Sequence, residues 1–449
     1  MRLFTAAVRL SALLLLVGSG VACSGATSAG SSPPGTSPLP TGSGFATPSP
    51  QPSPTTSGSV PSPSPTGSSA GSPTPVPSGS PAPALDPHLV LSGGLHGATI
   101  AQVAGARQLA ALPNGDLLVG TTSNAVVIVP GAEAAGVAGT PATFITLPEG
   151  SAQGVAYSPS GYVFVTTEHN VWRIPYHSGD LSEPSSSATS IALVRQGPIA
   201  PHSDGDVHHT TSVTVNGGTL YVGVGSSCNA CTEVDPTRAT IQQMSLDGSH
   251  MSTLAKRIRN PIALTINPVT GTLWAGGAGQ DDLPYHHPYE YLDPVTLHAT
   301  PVDYGWPVCE EDHNPYGSGA DCSQTVAPRV EFPSYATLIG AAIYPVTPIG
   351  PYVLPSAYRG GAFVAWHGSW HCCPSTPPEL AFVPMTGDTP ATSVNWGDPT
   401  IQWQSVLTDT RDSIAFASYP VRFTGVSVGP SGSLFIGDDS AGAIYRIRP

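Results

Sequence analysis

Pro113-Asn114-Gly115-Asp116-Leu117-Leu118-Val119 decides the fold, because it joins a glycine-containing turn directly to a run of strand-forming residues. Glycine supplies the positive φ that tight hairpin turns need, and aliphatic residues next to such a turn favour a strand. Five similar stretches follow at intervals of tens of residues: 159–165, 216–222, 270–275, 359–364 and 430–436. Repeats at this spacing are typical of β-propeller blades, which have four short strands each.

Some of these turns follow another short strand, such as Gly154-Val155-Ala156-Tyr157 and Gly425-Val426-Ser427-Val428. No long segment shows the apolar period of a helix. We therefore predict an all-β fold, a six-bladed β-propeller over residues 85–449. A domain of 365 residues is long for most folds and normal for a propeller.

The first 22 residues have the features of a secretory signal peptide. Arg2 and Arg9 precede a short apolar run over 10–17, and small residues lead to Cys23. The apolar run is too short to span a bilayer. Gly20-Val21-Ala22-Cys23 approximates a bacterial lipoprotein box, so we expect lipidation of Cys23, with a plain cleaved signal peptide as the alternative.

Residues 23–84 are rich in Pro, Ser, Thr, Gly and Ala, and no charged residue occurs between Arg9 and Asp86. Such a segment buries too little apolar surface to offset its ordering entropy, so we expect a disordered linker. Together with Cys23 it would tether an exported domain at the cell surface, on the outer face of the cytoplasmic membrane or in the cell envelope.

The charge of the chain excludes one class of partner. Residues 85–449 hold 13 basic and 29 acidic residues, a net charge of −16, and Lys256 is the only lysine. Nucleic acid demands a basic surface, so no nucleic-acid partner is expected.

The stretch 258–307 carries the candidate chemistry. Arg259-Asn260-Pro261 places a guanidinium and an amide next to a residue that stops the preceding element, and we expect a stiff turn there. The acidic loop Gly279-Gln280-Asp281-Asp282 follows, and its carbonyls and carboxylates are the oxygen ligands that Ca²⁺ prefers. The stretch closes on Asp303-Tyr304-Gly305-Trp306-Pro307.

The order of these pieces resembles the soluble glucose/sorbosone dehydrogenase family, six-bladed propeller quinoproteins that use pyrroloquinoline quinone (PQQ) and Ca²⁺. The family pattern runs R-N-P-x-G-L-A, then N-G-R-D-D-L, then N-Y-G-W-P. The resemblance covers most of residues 85–449 and implies a sugar dehydrogenase of aldose or sorbosone type, here in a bacterial lipoprotein form, with an unidentified electron acceptor.

The resemblance also implies roles for single residues. His208 matches the general base that removes a sugar hydroxyl proton while hydride passes to the quinone, and His209 is the neighbour that a register slip would select. Arg259 matches a residue that contacts cofactor and substrate and stabilises charge on the quinone. The implied PQQ contacts are Arg259, Asn260, Gln280 and Arg422, with His371 in place of a basic residue that the family has near the motif His367-Gly368-Ser369-Trp370.

For the metal, the resemblance implies the main-chain carbonyls of Gly279 and Gln280, with Asp282 and Glu290 in support. Asp281 is as well explained by a solvated turn. The loop also departs from the family pattern, because Gly279-Gln280 replaces N-G-R and loses a positive charge.

Six cysteines remain once Cys23 is set aside, and in an oxidising compartment they predict three disulfides. The simplest pairs are Cys228–Cys231, Cys309–Cys322 and Cys372–Cys373, although the last two cysteines could each pair elsewhere. Cys228-Asn229-Ala230-Cys231 is followed by threonine, so it lacks the histidine of a c-type haem site.

Two alternatives to the dehydrogenase stay open. One is a non-catalytic propeller lipoprotein that binds carbohydrate or protein. The other is a Ca²⁺-dependent sugar lactonase, which needs side-chain carboxylates converging on its metal. The carbonyl-rich loop beside Arg259-Asn260-Pro261 favours the dehydrogenase.

Overall fold

The computed structural model describes residues 82–283, 287–317, 319–369, 376–411 and 419–449 of the 449-residue chain. The predicted signal peptide, Cys23 and nearly all of the predicted linker lie outside the described residues, as do His371, Cys372 and Cys373. No helix among the described residues is long and apolar enough to cross a membrane.

Six antiparallel sheets form the blades of a β-propeller, which confirms the predicted fold. We number them in order of their innermost strands. Blade 1 comprises Ala106–Ala111, Leu117–Thr121, Ala125–Val129 and Ala142–Thr146. Blade 2 comprises Gly154–Ser158, Tyr162–Thr166, Asn170–Pro175 and Thr189–Leu193. Blade 3 comprises Thr211–Asn216, Thr219–Val224, Thr240–Ser245 and Ser252–Lys256. Blade 4 comprises Asn260–Ile266, Leu273–Ala278, Glu290–Asp293 and Val330–Phe332. Blade 5 comprises Leu338–Ile343, Ala362–Trp366, Glu379–Val383 and Gln404–Asp409. Blade 6 comprises Phe423–Val428, Leu434–Asp438, Ala443–Arg448 and His96–Gln102.

The remaining elements are short. Leu89–Leu91 extends blade 5, Val302–Asp303 extends blade 3, and Met385–Thr386 pairs with Thr389–Pro390. The 3₁₀ helices are Ser185–Ser187, Val295–Leu297 and Ser356–Tyr358.

Each of the six turn-and-strand stretches connects the first and second strands of one blade. Each of these turns contains a glycine with positive φ, from 55° for Gly217 to 95° for Gly432. L-residues with a side chain rarely adopt this conformation, so the glycine in each repeat marks the position of a hairpin. The repeat visible in the sequence is therefore one hairpin per blade.

The ring is closed by strands from both ends of the domain. Blade 6 takes three strands from the C-terminal residues, and His96–Gln102 completes it by pairing antiparallel with Ala443–Arg448. Pro83 and Ala84 already pair with His96–Gln102, so the folded part starts slightly before residue 85.

The hydrophobic core is divided among the contacts between blades. Each pair of neighbouring blades shares one buried cluster, such as Phe363 with Phe423 between blades 5 and 6, or Phe164 with Leu220 between blades 2 and 3. In the closed ring both faces of each blade are covered by a neighbour, which buries apolar side chains on both sides of every sheet.

The six innermost strands surround an axial channel of about 270 Å³. The side chain of Gln108 crosses part of it, donating from Nε2 to the Val213 carbonyl at 2.6 Å and accepting from the Val213 amide at 3.1 Å. Arg107, Gln153, Thr210, Ile262 and Ile339 surround a cavity of about 10 Å³ where the first strands of five blades begin. This end of the channel, which we call the rim, is where the candidate chemistry lies.

Candidate active site

The rim collects residues that immediately precede or begin the innermost strands. Arg259 and Asn260 begin blade 4, His208 precedes blade 3, and Arg422 precedes blade 6. The predicted stiff turn at Arg259-Asn260-Pro261 is wrong in one respect, because Pro261 lies inside the first strand of blade 4. That strand faces the channel, and a proline is tolerated where a strand has a free edge.

The hydrogen bonds of His208 fix its tautomer. Its Nδ1 lies 3.1 Å from the Ser226 carbonyl and 2.8 Å from the Ser226 Oγ. The carbonyl only accepts, and the Ser226 hydroxyl already donates to the Cys228 carbonyl at 2.7 Å. Nδ1 must therefore carry the proton, which leaves the lone pair on Nε2.

Burial lowers the pKa of His208 well below its ordinary value, and the positive charge of Arg259 lowers it further. The residue keeps some accessible surface, but protein surrounds most of the imidazole. A neutral imidazole with a free Nε2 is the form in which histidine acts as a base. The neighbouring His209 is exposed, and its Nδ1 lies 2.6 Å from a Glu168 carboxylate oxygen.

Arg259 is buried, with 5% of its surface exposed, and protein groups surround its guanidinium. Its Nε donates to the Asn229 carbonyl and its Nη2 to the Asn229 Oδ1, both at 3.0 Å. Nη2 also forms an ion pair with Asp281 at 2.8 Å, and Nη1 donates to the Gly279 carbonyl. The structure thus brings Arg259 next to the predicted metal loop, and it assigns Asp281 to an ion pair.

Two of the predicted cofactor contacts carry buried polar atoms without a partner among the described residues. They are the Oδ1 of Asn260 and the Oε1 of Gln280. Gln280 and Asn260 line a cavity of about 20 Å³ together with Arg259 and Gly279, which is room for about one water molecule. Unsatisfied buried amides are uncommon, so these two are candidates for contact with a ligand.

The predicted metal residues lie together, and burial raises the pKa of the acid groups behind them. Glu290 accepts a hydrogen bond from the Gly279 amide at 2.9 Å, and burial raises its pKa to about 8 despite that bond and the charge of Arg259. Burial also raises the pKa of Glu311, which lines the same cavity with an unpartnered Oε2 among the described residues. Asp282 is exposed, and its Oδ2 lies 3.5 Å from the side-chain Nδ2 of Asn229.

Arg422 is buried at the rim and holds the loop that carries the motif His367-Gly368-Ser369. It donates to the carbonyls of these three residues at 3.1, 3.1 and 2.9 Å. The predicted contact between Arg422 and a cofactor would therefore share the guanidinium with this loop.

A network of ionisable side chains lies beside this loop. His367 pairs with Asp439 at 2.8 Å, and Asp439 pairs with Arg107 at 3.0 Å. Burial lowers the pKa of His367 to about 4, against the opposing effect of Asp439. The histidine is therefore neutral at pH 7, and its Nε2 donates to the carboxylate.

Two of the three predicted disulfides are formed in the described residues, Cys228–Cys231 and Cys309–Cys322, which confirms those pairs. Both lie near the site. Cys228 and Cys231 pack with Trp306, and Cys309 lines the cavity beside Arg259.

Sequence reasoning missed several residues that organise the site. Asn229 stands between two cysteines with no motif that marks it, yet it contacts Arg259 through two atoms. Asp206 binds two buried arginines, Arg195 and Arg238, with both carboxylate oxygens, and thereby fixes the loop that carries His208. Its position two residues before His208 was the available signal. Arg107 and Asp439 carried none, because 332 positions separate the two residues in the chain.

Comparison with known proteins supports the fold. No family model matches the sequence, and no curated protein matches it significantly. Among solved structures, the holo form of the pyranose dehydrogenase PQQ domain from Coprinopsis cinerea is similar, with a TM-score of 0.66, 16% identity, and coverage of 83% of this chain and 99% of that chain.

Two further structures agree. The calcium structure of a Trichoderma reesei carbohydrate-active enzyme of family AA12 has a TM-score of 0.62 and 18% identity, covering 81% of this chain and 98% of that one. A glucose dehydrogenase structure has a TM-score of 0.56 and 15% identity, covering 78% of this chain and 98% of that one. The chain therefore has the six-bladed propeller fold of PQQ-dependent pyranose and glucose dehydrogenase-type proteins.

Proposed function

We propose that this protein is an exported, lipid-anchored sugar dehydrogenase that depends on PQQ and Ca²⁺. The observation that carries the proposal is the meeting, at one rim of the propeller, of a neutral His208 with its lone pair on Nε2 and a buried Arg259 that touches the loop 279–282. The family resemblance implies a role in sugar oxidation for both His208 and Arg259, and a metal-binding role for the loop.

The donor set of this chain fits a quinone cofactor in two respects. Asn260 and Gln280 offer buried amides that lack a partner among the described residues, and Arg259 supplies a positive charge beside them. Gln280, Glu290 and Asp282 would assist a calcium ion with oxygen ligands, together with the Gly279 carbonyl that Arg259 now contacts. When bound, PQQ and its Ca²⁺ supply a polarised quinone that accepts hydride from the sugar.

The residues of the chain would contribute proton transfer and charge stabilisation. Nε2 of His208 accepts the proton of the sugar hydroxyl, while Nδ1 stays bonded to Ser226 and keeps the ring in place. The guanidinium of Arg259 stabilises the negative charge that accompanies hydride transfer, and its burial strengthens that effect.

The test is reconstitution of the purified protein with PQQ and Ca²⁺, with the quinone absorbance followed as sugars are added. Reduction of the quinone by an aldose or by sorbosone, abolished in the matched sample without Ca²⁺, is the expected result. If the protein binds PQQ and no sugar reduces the bound quinone, the assignment as a sugar dehydrogenase is wrong. Cell fractionation tests the anchor separately, since Cys23→Ala should move the protein from the membrane fraction into the soluble one.

A non-catalytic binding propeller is the second candidate, and one observation favours it. The Arg259 guanidinium is already bonded to Asn229, Gly279 and Asp281, so an anionic ligand must share or replace one of these contacts. Absence of PQQ binding in the reconstitution would select this candidate.

A further inference from the structure

Asn229 is the residue through which the separate parts of the rim are joined. It follows a buried cysteine and precedes an exposed alanine in the four-residue ring that the Cys228–Cys231 disulfide closes. The ring packs against Trp306, and the Trp306 Nε1 donates to the Asn229 carbonyl at 3.0 Å. A turn closed by a covalent bond and packed on an indole ring has little freedom to move its side chain.

All the polar groups of Asn229 are used. Its carbonyl and its Oδ1 accept from Arg259, and the same Oδ1 accepts from the Asp281 amide at 2.8 Å. Its Nδ2 donates to the Asp281 carbonyl at 3.1 Å. Its own amide donates to the Asp204 carboxylate at 3.0 Å, which ties the turn to the loop that carries His208.

A second connection runs from the same turn to the base. The Cys228 carbonyl accepts from the Ser226 hydroxyl, and the Ser226 Oγ accepts from the Nδ1 of His208. Arg259 is thus bonded directly to the covalently closed turn, and His208 is connected to it through Ser226, although 51 positions separate the two residues in the chain.

We propose that Asn229, fixed by the Cys228–Cys231 ring, is a positioning residue that sets Arg259 relative to His208 and to the loop 279–282. The proposal rests on the function proposed above for this site. Rigid support of this kind matters because a catalytic group that shifts by about 1 Å loses much of its effect.

The first test is Asn229→Ala, with Asn216→Ala as the matched control. Asn216 is also half-buried and also in blade 3, but its amide donates to the Gly271 carbonyl at the far end of the strand. We expect Asn229→Ala to weaken PQQ binding about tenfold or more, because loss of a hydrogen bond to a charged group changes an equilibrium by about ten- to a hundredfold. Asn216→Ala should leave the affinity unchanged.

A second readout needs no cofactor. The imidazole of His208, identified by its absence in His208→Ala, is titrated by NMR in the protein alone. We expect its pKa to rise toward the ordinary value in Asn229→Ala, because Arg259 no longer stays in the position from which it depresses that pKa. Cys228→Ser combined with Cys231→Ser should produce the same change, and Asn229→Ser replaces Asn229→Ala if the alanine variant does not fold.

The two readouts separate failure of this inference from failure of the proposed function. If the wild type binds no PQQ, the cofactor assignment falls and the NMR titration still decides the role of Asn229. If the pKa of His208 and the PQQ affinity are both unchanged in Asn229→Ala, the inference is overturned. A double variant with Arg259→Lys completes the test, because a residue that acts through Arg259 has no further effect in that background.

Discussion

Replacement of His208 by alanine should lower kcat for sugar oxidation by about 10²–10³-fold, which is the lower part of the range for general bases. The reason is that no negatively charged group among the described residues is bonded to the imidazole to stabilise its protonated form. Nδ1 of His208 is bonded to the carbonyl and hydroxyl of Ser226, neither of which carries a negative charge. The imidazolium that forms when the base takes a proton is also disfavoured by the nearby Arg259. His208 is thus well oriented but only weakly stabilised in its protonated form.

The pH dependence gives the same prediction a second measurement. The pKa of His208 is lowered by burial and by Arg259, so the base stays neutral as the pH falls through 6.5. We expect the acid limb of kcat/KM to lie below pH 6.5, and to be absent from the residual activity of His208→Ala.

The assay is steady-state sugar oxidation by the PQQ-reconstituted protein with an artificial electron acceptor, together with PQQ affinity measured separately. His209→Ala is the matched control, because His209 is exposed and bonded to Glu168. Retention of more than about a tenth of the activity in His208→Ala with normal PQQ binding would refute the assignment of the base. A large loss confined to His209→Ala would show that the register is displaced by one residue.

Three further predictions concern neighbouring groups. Asp281→Asn should strengthen PQQ binding, because it releases Arg259 from its ion pair, whereas a weaker affinity in a titration at fixed Ca²⁺ would show that Asp281 supports the metal. The pKa of His367 is about 4 in the folded protein and about 6.5 in the unfolded chain, so the free energy of unfolding of the wild type falls as the pH drops from 6.5 to 4. His367→Gln should reduce this loss by up to about 3 kcal/mol. Urea unfolding of both proteins at pH 7 and at pH 4.5 measures the difference. Cys309→Ser combined with Cys322→Ser should lower the free energy of unfolding by about 3 kcal/mol, because the Cys309–Cys322 bridge closes a longer loop than Cys228–Cys231 does. A smaller loss than the one caused by removing Cys228–Cys231 would contradict the chain-entropy explanation.

The fold was predictable because its repeat is local. A glycine with positive φ and a following strand recur once per blade, and both signals lie within seven residues of sequence. What closes the ring is not local. His96–Gln102 pairs with strand Ala443–Arg448 at the other end of the chain, and nothing in either segment specifies the other.

The candidate site was predictable only where sequence motifs were continuous. Arg259, Gly279 and Gln280 lie within one stretch, and the structure places them around one cavity. Their hydrogen-bond partners could not be inferred, because partners such as Asn229 come from another blade. The preceding strand does end before Arg259, at Lys256, but the predicted stiff turn failed for a related reason, since only the tertiary structure shows that the strand with Pro261 borders the channel.

The ionisable groups of the rim share a pattern that the total charge conceals. The chain carries a formal net charge of −14, yet five arginines lie at or near the rim, and each has an acidic or carbonyl partner: Arg107, Arg195, Arg238, Arg259 and Arg422. Asp281 faces Arg259, Asp439 faces Arg107, and Asp206 faces both Arg195 and Arg238. Paired in this way, buried guanidinium groups keep their charge without the full cost of desolvation. An anionic cofactor that enters such a site competes with carboxylates already in place, so its affinity depends on how firmly the protein holds each arginine, and Asn229 is the residue that holds Arg259 by two bonds.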